Sequence, residues 1–283
     1  MEHRGERRTK GVSRVNDLII IILLGIVEGV TEFLPVSSTG HLILAGALLG
    51  LPQADATFDI VIQLGAILAV VVLFWGRFMK VAHGLLARDP AAIRFTRNVL
   101  LGFLPSAVAG VIAYKAIKAV LEAPTIGPMV VAISLIVGGV LILLIERLSK
   151  TITTRSVEDM PWRTALIIGV VQCLSMIPGV SRSGATIMGA LTLGVDRETA
   201  AEYSFFLAIP TMMGATTLAL YKGRHELGDA HLTAIGIGFV VSFLVALLVI
   251  RWFVAFVGKH GFAPFAWYRI IAGSIALIAL LAH

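Results

Sequence analysis

Charged residues are scarce in this sequence. Of its 283 residues, 14% are charged and 58% are hydrophobic, and the mean hydropathy is +0.93. Soluble domains carry about 25% charged residues, so this chain lacks the polar surface that such a domain needs. It also lacks a polar stretch long enough to form a separate aqueous domain. These shortages exclude an ordinary soluble protein and predict a chain that lies mostly in lipid.

Cysteine is nearly absent, because Cys173 is the only one in the chain. A single cysteine excludes an intrachain disulfide, a cysteine zinc cluster and a redox pair. The net charge of +6 and the pI of about 9.8 are basic. In a membrane protein this excess is typical of loops at the anionic cytoplasmic face. We therefore expect no nucleic-acid partner.

Long hydrophobic runs are abundant and predict an all-α polytopic membrane protein. A spanning helix needs about 20 mainly apolar residues, and six runs meet or approach that length: Ile60–Gly76, Val99–Val120, Ile126–Ile145, Tyr203–Tyr221, Leu232–Ile250 and Ile270–Ala282. Before them, Met1–Asp17 is basic and no small-residue cleavage site follows promptly. We interpret residues 1–17 as an uncleaved basic leader and residues 18–283 as one integral membrane domain.

Two further apolar regions are interrupted by polar residues. Leu18–Leu51 is broken by two glutamates, by Pro35 and by a Ser-Ser-Thr-Gly-His run. Thr164–Val195 is broken by Pro178-Gly179 and by a Ser-Arg-Ser-Gly run. Non-helical backbone is tolerated at membrane depth only where protein or a watery cavity satisfies it. A helix, a polar break and a short second helix therefore predict a re-entrant hairpin in each region.

The two broken regions resemble each other. Leu24–Glu28 aligns with Ile168–Gln172, 144 positions later, and the proline, serine and glycine residues of the breaks follow in the same order. We infer an internal repeat, with units at residues 18–146 and 163–283, each holding one hairpin and three spans. An odd number of crossings inverts the second unit, as in inverted-repeat transport proteins. The predicted fold is six transmembrane helices plus two re-entrant hairpins in an inverted-topology repeat.

Basic residues in the loops predict the orientation. The loops Arg77–Arg97 and Arg147–Arg163 are separated by two predicted spans, so they lie on one side of the membrane. The positive-inside rule makes that side cytoplasmic and puts the N-terminus outside. The basic residues of the leader favour the opposite orientation.

Glu28 and Glu32 are the first candidates for chemistry. They are four residues apart, so both carboxylates share one face of a helix. An acid within an apolar segment is costly and by default indicates function. Two carboxylates on one face are suited to a hard divalent cation, Mg²⁺ or Ca²⁺, as metal ligands.

A polar run just before a predicted helix supplies further candidates. Ser37, Ser38 and Thr39 precede Gly40 and His41. One hydroxyl would suffice to cap the helix, but three hydroxyls and an imidazole also offer a nucleophile, a proton carrier and hydrogen-bond donors. The residues leave open whether Ser38 attacks, His41 attacks, or His41 activates water; we favour Ser38.

The second break contains the candidate anion site. Arg182 lies between Ser181 and Ser183 at the start of a predicted helix, and an arginine fork with helix N–H groups suits phosphate. Gln172 replaces Glu28 in the second repeat and is a supporting candidate, together with Glu202. Glu202 has the alternative role of an interfacial residue at a helix start.

These residues form two motifs that resemble a known family. The segments Glu28-Gly-Val-Thr-Glu-Phe-Leu-Pro-Val-Ser-Ser-Thr-Gly-His41 and Pro178-Gly-Val-Ser-Arg-Ser-Gly-Ala-Thr186 are similar to the signature motifs of bacterial undecaprenyl-pyrophosphate phosphatases, the bacitracin-resistance family. The similarity runs from about Leu18 to the C-terminus. The basic leader is an addition to the usual start of the family.

The resemblance implies the following expectations. The chain removes one phosphate from undecaprenyl pyrophosphate, with a divalent cation, and so recycles the lipid carrier for peptidoglycan synthesis. It lies in the bacterial inner membrane among lipids, forms homodimers, and opens its active site to the periplasmic face. Glu28 and Glu32 are the acidic pair, Ser38 and His41 are catalytic, and Arg182 binds phosphate, with Ser181, Ser183, Ser37 and Thr39 beside it.

A lipid-phosphate transporter or flippase is the alternative function, because the inverted repeat alone favours transport. The two classes differ at the site. A carrier needs charge neutralisation, but it does not need a hydroxyl nucleophile.

Overall fold

The computed structural model describes residues 5–49, 56–121, 126–148, 151–223 and 232–282. In chain order its helices are α1 (Gly5–Thr31), α2 (Ser38–Leu49), α3 (Ala56–Leu73), α4 (Trp75–Leu86), α5 (Pro90–Leu121), α6 (Ile126–Leu148), α7 (Trp162–Gln172) with a 3-10 turn (Cys173–Met176), α8 (Arg182–Thr192), α9 (Arg197–Gly223), α10 (Leu232–His260) and α11 (Ala263–Ala282). In these ranges the β structure is an isolated bridge between Thr154 and Val195. The predicted all-α class is confirmed for the described residues.

Four described helical segments are long and apolar enough to cross a membrane. They are Pro90–Ala113, Ile126–Leu148, Ile235–His260 and Ala263–Ala282. The pair α3 and α4, bent by 69° where they meet, is a fifth candidate. The chain is therefore a multi-pass membrane protein. The remaining predicted span, Tyr203–Tyr221, lies in α9, which is not among these candidates, so the count of six stays a prediction.

Several element boundaries differ from the sequence prediction; for example, α5 begins at Pro90 instead of Val99, and α10 ends at His260 instead of Ile250. The predicted basic loop Arg77–Arg97 is mostly helical, because it overlaps most of α4 and the first turns of α5. In α4, Phe78 and Val81 pack against the core while Lys80 and His83 are exposed. A short amphipathic helix of this kind mixes charge and apolar residues, so a search for uncharged runs misses it. At the other end, α11 begins at Ala263, ahead of the predicted Ile270.

The basic leader is partly described. Residues 5–17 are helical and continue without interruption into the apolar part of α1, which ends at Thr31. Residues 1–4 of the predicted leader lie outside the described residues.

Both predicted interruptions are breaks in the helical backbone, and they share a local geometry. The backbone of Ser37 and Ser181 is left-handed, with φ of 71° and 78°. Each serine accepts a hydrogen bond at Oγ from a backbone N–H three residues later, Gly40 at 3.2 Å and Gly184 at 3.0 Å. A left-handed non-glycine residue stores strain that its surroundings must offset, and such residues cluster at functional sites. We call the segments 32–37 and 177–181 the first and second turns.

Helices cross closely where small residues meet. Gly25 of α1 lies against the carbonyl of Gly238 in α10, and Gly169 of α7 lies against the carbonyl of Gly102 in α5. A side chain at Gly25 or Gly169 would separate these helices, because membrane helices gain contact area through small interfacial residues. The two crossings fix α1 and α7, and with them the helix ends from which the two turns begin.

An aromatic cluster packs beneath the first turn. Phe33 is fully buried and meets Phe205 edge to face at 5.3 Å between ring centroids. Phe205 in turn contacts Phe74 and Phe253. Edge-to-face pairs stabilise by about 0.5–1.5 kcal/mol beyond area burial. The closely packed rings of this cluster therefore support the first turn and restrict its movement.

Candidate functional site

The Glu32 carboxylate joins the two turns. The Ser38 hydroxyl donates a hydrogen bond to Glu32 Oε2 at 2.6 Å, and Arg182 Nη2 donates to Glu32 Oε1 at 2.8 Å. The two carboxylate oxygens thus hold a hydroxyl of α2 and a guanidinium of α8, which lie far apart in sequence. Little solvent reaches the ion pair, since the Arg182 and Glu32 side chains are 11% and 6% exposed.

Arg182 is held on several sides and still has a donor to spare. Nη1 donates to the carbonyl and hydroxyl of Ser204 at 2.7 Å and 3.2 Å. The guanidinium carbon lies 5.9 Å from the centroid of the Phe33 ring, within range of a cation–π contact. The Nε–H is buried and has no hydrogen-bond acceptor among the described residues. A phosphate oxygen is a suitable acceptor for that donor.

The serines of the second turn fix its position. Ser181 caps α8, and its Oγ lies 3.0 Å from Ser183 Oγ. Ser183 donates across to the carbonyl of Leu34 in the first turn at 2.7 Å. Ser37 caps the other short helix in the same way as Ser181. These hydroxyls therefore bind backbone and hold the turns together.

A cavity of about 520 Å³ opens beside the two turns. Its polar wall contains Glu32, Ser38, Thr39 and Arg182, together with Ser37 and Ser181. The opposite wall is largely apolar and is formed by α5 and α9, out to Ile117 and Leu218 near their C-terminal ends. A polar end with charge and an apolar continuation suit an amphiphile with an anionic head.

Gln172 does not line the cavity but hydrogen-bonds to residues of its wall. It is fully buried and donates to Ser106 Oγ at 2.7 Å and to Thr211 Oγ1 at 3.4 Å. Thr186 donates to its carbonyl oxygen at 3.3 Å. Ser106 and Thr211 both line the cavity. Gln172 therefore orients two hydroxyls that the sequence analysis did not identify.

Three further predicted site residues do not line the cavity, as is also true of Ser183 and Gln172. Glu28 is fully buried and is not among the lining residues. His41 binds the carbonyl of Ser37 through Nδ1 at 2.7 Å and the Tyr268 hydroxyl through Nε2 at 2.6 Å. Glu202 Oε2 lies 3.7 Å from Arg77 Nη1. Arg77 also forms an ion pair with Glu158, at 2.8 Å between Nη2 and Oε1. The structure therefore does not bring Glu202 to the turns; it lies in an ion-pair cluster with Arg77.

The described residues contain no group of three or more metal-binding side chains that could hold a cation by themselves. Glu32 alone of the predicted acidic pair faces the cavity. One carboxylate fits Mg²⁺ or Ca²⁺ only when substrate oxygens and water supply the other ligands, and Mg²⁺ is commonly held in that way.

Arg269 is the main residue that sequence reasoning missed. It directly precedes the predicted last span, where an arginine ordinarily serves as an interfacial anchor. The structure instead buries it, at 1% exposure, between α6 and both turns. The sequence contains no signal for this placement, because the carbonyl groups that it binds belong to backbone.

Comparisons with known proteins identify the family of this chain. The family model described as bacitracin resistance protein BacA matches residues 21–275. The chain is 73% identical over 266 residues to a protein of Rhizorhabdus wittichii named undecaprenyl-diphosphatase, covering 94% of this chain and 98% of the relative. Proteins of the same name from Sphingopyxis alaskensis and Novosphingobium aromaticivorans are 60% and 54% identical, over 94% and 93% of this chain and 99% and 98% of theirs. The chain therefore belongs to the BacA bacitracin-resistance family.

Proposed function

We propose that this protein hydrolyses undecaprenyl pyrophosphate to undecaprenyl phosphate and inorganic phosphate, as the name of its relatives implies. The observation that carries the proposal is the Glu32 carboxylate, which accepts hydrogen bonds from both Ser38 and Arg182 at the cavity wall. A hydroxyl bonded to a base and beside a cation is the arrangement of an activated nucleophile next to an anion site. The product is the carrier lipid that peptidoglycan synthesis consumes, and recycling it confers bacitracin resistance.

The geometry favours Ser38 as the nucleophile and Glu32 as its base. Ser38 Oγ attacks the terminal phosphorus while its proton passes to Glu32 Oε2. The anhydride P–O bond breaks, and undecaprenyl phosphate leaves with the electron pair of that bond. Water then attacks the phosphorus of the phosphoserine, the P–Oγ bond breaks, and Ser38 Oγ takes back the proton held by Glu32. The phosphoryl group and the water leave together as inorganic phosphate. Arg182, including its free Nε–H, stabilises the negative charge on the transferred phosphoryl oxygens.

We propose that a divalent cation binds together with the substrate. Glu32 would provide one ligand and the pyrophosphate and water the others. Its chemistry is neutralisation of phosphate charge. Glu28 is fully buried and does not line the cavity, so its roles as second metal ligand and catalytic acid stay predictions.

The proposed setting is the bacterial inner membrane, with six spans, two re-entrant hairpins and an inverted repeat. Three observations support the repeat. The left-handed serines match, and the glycine crossings match. In addition, α1 of the first unit packs on α10 of the second, and α7 of the second unit packs on α5 of the first. The apolar wall of the cavity extends towards the C-terminal ends of α5 and α9, opposite the basic loops. We propose that the cavity opens to the periplasmic face. We propose homodimers only on the family resemblance.

The transporter alternative is not favoured. The relatives are named as phosphatases, and a carrier has no use for a serine hydroxyl hydrogen-bonded to a buried glutamate.

Phosphate release by the purified protein in detergent, with undecaprenyl pyrophosphate as substrate, tests the proposal. We expect steady release by the native chain and a loss of more than about 10³-fold in Ser38→Ala, the size of loss that removal of a catalytic group typically causes. Ser156→Ala is the matched control, because this half-buried serine hydrogen-bonds to Asp159 in the segment before α7 and does not line the cavity. No release by the native chain would contradict the function.

The trapped intermediate separates the three mechanisms. Phosphoserine survives acid quenching, whereas phosphohistidine is hydrolysed by acid and survives base. We expect an acid-stable phosphoenzyme that is absent in Ser38→Ala. An acid-labile phosphoenzyme would identify His41 as the nucleophile, and the absence of both during turnover would favour direct attack by water.

A further inference from the structure

Arg269 of α11 uses its whole guanidinium to hold backbone. Nε donates to the carbonyl of Leu135 at 3.3 Å, and Nη2 donates to those of Ser134 and Gly179, each at 3.0 Å. Nη1 donates to the carbonyls of Pro35 and Val180, each at 2.9 Å. A guanidinium has five N–H donors. All five are used, and every acceptor is a main-chain carbonyl.

These bonds connect the parts of the site that must stay in register. Pro35 lies in the first turn, Gly179 and Val180 lie in the second, and the remaining two acceptors belong to α6. Carbonyl groups in a helix break have no partner in their own segment, and in lipid an unsatisfied carbonyl costs several kcal/mol. Arg269 supplies the missing donors for both turns at once. It is not among the residues that line the cavity, so it acts through the turns.

Ordinary ion pairing does not explain the burial of this cation. Among the described residues, the carboxylates in ion pairs have other partners, and none is paired with Arg269. A buried charge that has no counter-ion in the described part of the chain must be stabilised by dipoles, here by five carbonyl oxygens. Gly138 provides the space, because a Cβ at that position would overlap the guanidinium.

The neighbouring residue reaches the first turn by another route. The Tyr268 hydroxyl lies 2.6 Å from His41 Nε2, and the two rings are stacked with centroids 5.6 Å apart. His41 Nδ1 lies 2.7 Å from the carbonyl of Ser37, the residue with left-handed backbone before Ser38. With both ring nitrogens engaged in this way, His41 connects Tyr268 to the backbone that presents the nucleophile.

We propose that Tyr268 and Arg269 are positioning residues, which brace the first and second turns against α11 and so set the distance between Ser38 and Arg182. The proposal rests on the proposed phosphatase function, and it assigns His41 to the brace. Displacement of a reacting group by about 1 Å costs on the order of 100-fold in rate, so loss of the brace should appear in kcat.

The first test compares one substitution at two arginines. Arg269→Lys keeps the charge, but lysine has three donors for five carbonyls, so we expect kcat to fall by about 100-fold. Arg251→Lys is the matched control, because Arg251 is exposed on α10 and lines a surface pocket between α3 and α10 that includes no residue of either turn; it should keep native kcat. Equal activity in both variants would overturn the proposal, whereas an inactive native protein would contradict the phosphatase function instead.

Chemical rescue distinguishes positioning from a general loss of folding. Arg269→Ala leaves the five carbonyls around a space that a guanidinium ion can enter. We expect millimolar guanidinium chloride to restore part of the lost kcat, whereas sodium chloride at the same concentration should not. If Arg269→Ala retains native-like thermal unfolding and guanidinium gives no recovery, the positioning role is wrong.

A double-mutant cycle tests the Tyr268 route and does not depend on Arg269 variants folding. Tyr268→Phe removes one hydroxyl from a half-exposed side chain, and we expect a several-fold loss of kcat. In a His41→Ala background the same substitution should cause little further loss, because residues in one hydrogen-bonded chain are not additive. Additive effects, or loss of an acidic limb from the pH–rate profile in His41→Ala alone, would give His41 a separate catalytic role.

Discussion

At the scale of single residues, Glu32 has two roles, one towards Ser38 and one towards Arg182, and bound substrate would separate them. It holds the Ser38 hydroxyl and pairs with Arg182. A buried ion pair is a weak source of stability, because desolvation offsets much of the attraction. Its value here is geometric, since it keeps a base, a nucleophile and a phosphate-binding cation within one hydrogen-bonded group before substrate enters.

Arg182→Lys tests whether the arginine acts through its fork or only through its charge. Arginine reaches Ser204 and Glu32 with different nitrogens and keeps Nε for the phosphate. A lysine ammonium cannot cover these directions at once. We expect kcat to fall by about 10²–10³-fold, the loss typical of removing one transition-state donor. Steady-state kinetics of phosphate release measures it, and native kinetics would reduce Arg182 to a counter-charge.

Removal of divalent cations tests the proposed metal at the same scale. We expect EDTA to suppress phosphate release and Mg²⁺ or Ca²⁺ to restore it, since Glu32 and pyrophosphate oxygens together provide hard ligands. In Glu32→Gln, activity should stay low at any metal concentration. A native rate that EDTA leaves unchanged would refute the metal assignment without touching the serine mechanism.

At the scale of elements, the turns are defined by breaks that the flanking helices enforce. Gly25 and Gly169 permit close crossings, and left-handed serines start the short helices α2 and α8. This backbone would be costly in lipid unless its carbonyl groups found donors. The structure provides them from α11, an element that lies at the far end of the sequence.

Gly138→Ala tests how tightly α6 and α11 must fit around the turns. The added methyl would overlap the Arg269 guanidinium, so we expect destabilisation of about 1–3 kcal/mol together with reduced kcat. Gly236→Ala is the control, because a Cβ there meets nothing within 4 Å and should be neutral or stabilising by about 0.4–1 kcal/mol. Thermal unfolding followed by tryptophan fluorescence compares them, and equal midpoints would contradict the tight packing.

At the scale of the whole molecule, orientation decides which face the cavity meets. The basic residues of α4, of the first turns of α5 and of the segment after α6 lie on the side opposite the apolar end of the cavity. Positive charge favours the cytoplasm. The proposed orientation therefore gives the cavity access to substrate released at the outer face.

Single cysteines in a Cys173→Ser background test that orientation. A cysteine at Ala282, at the end of α11, should react with an impermeant thiol reagent in intact cells whose outer membrane has been permeabilised. A cysteine at Arg88, between α4 and α5, should react only after the inner membrane is opened. The reverse pattern would mean that the basic residues of the leader dominate insertion.

Sequence patterns predicted the elements whose burial is set by local composition. Uncharged runs located α6 and α10 within a few residues of their starts, because lipid requires continuous apolar helices. Prolines and polar clusters predicted both breaks. The helix α4 was missed because it contains charged residues, and amphipathic segments lack the uncharged run that marks a span.

The sequence by itself determined that this protein lies in lipid, which family it belongs to and which residues form the two turns. Each of these depends on which side chains occur and in what order. Only the tertiary structure decided their partners. It paired Glu32 with Ser38 and Arg182, moved Glu202 into a cluster with Arg77, and placed Arg269 among five carbonyl groups. Backbone carbonyls carry no sequence identity, so the residue that holds both turns becomes visible only when the helices are packed together.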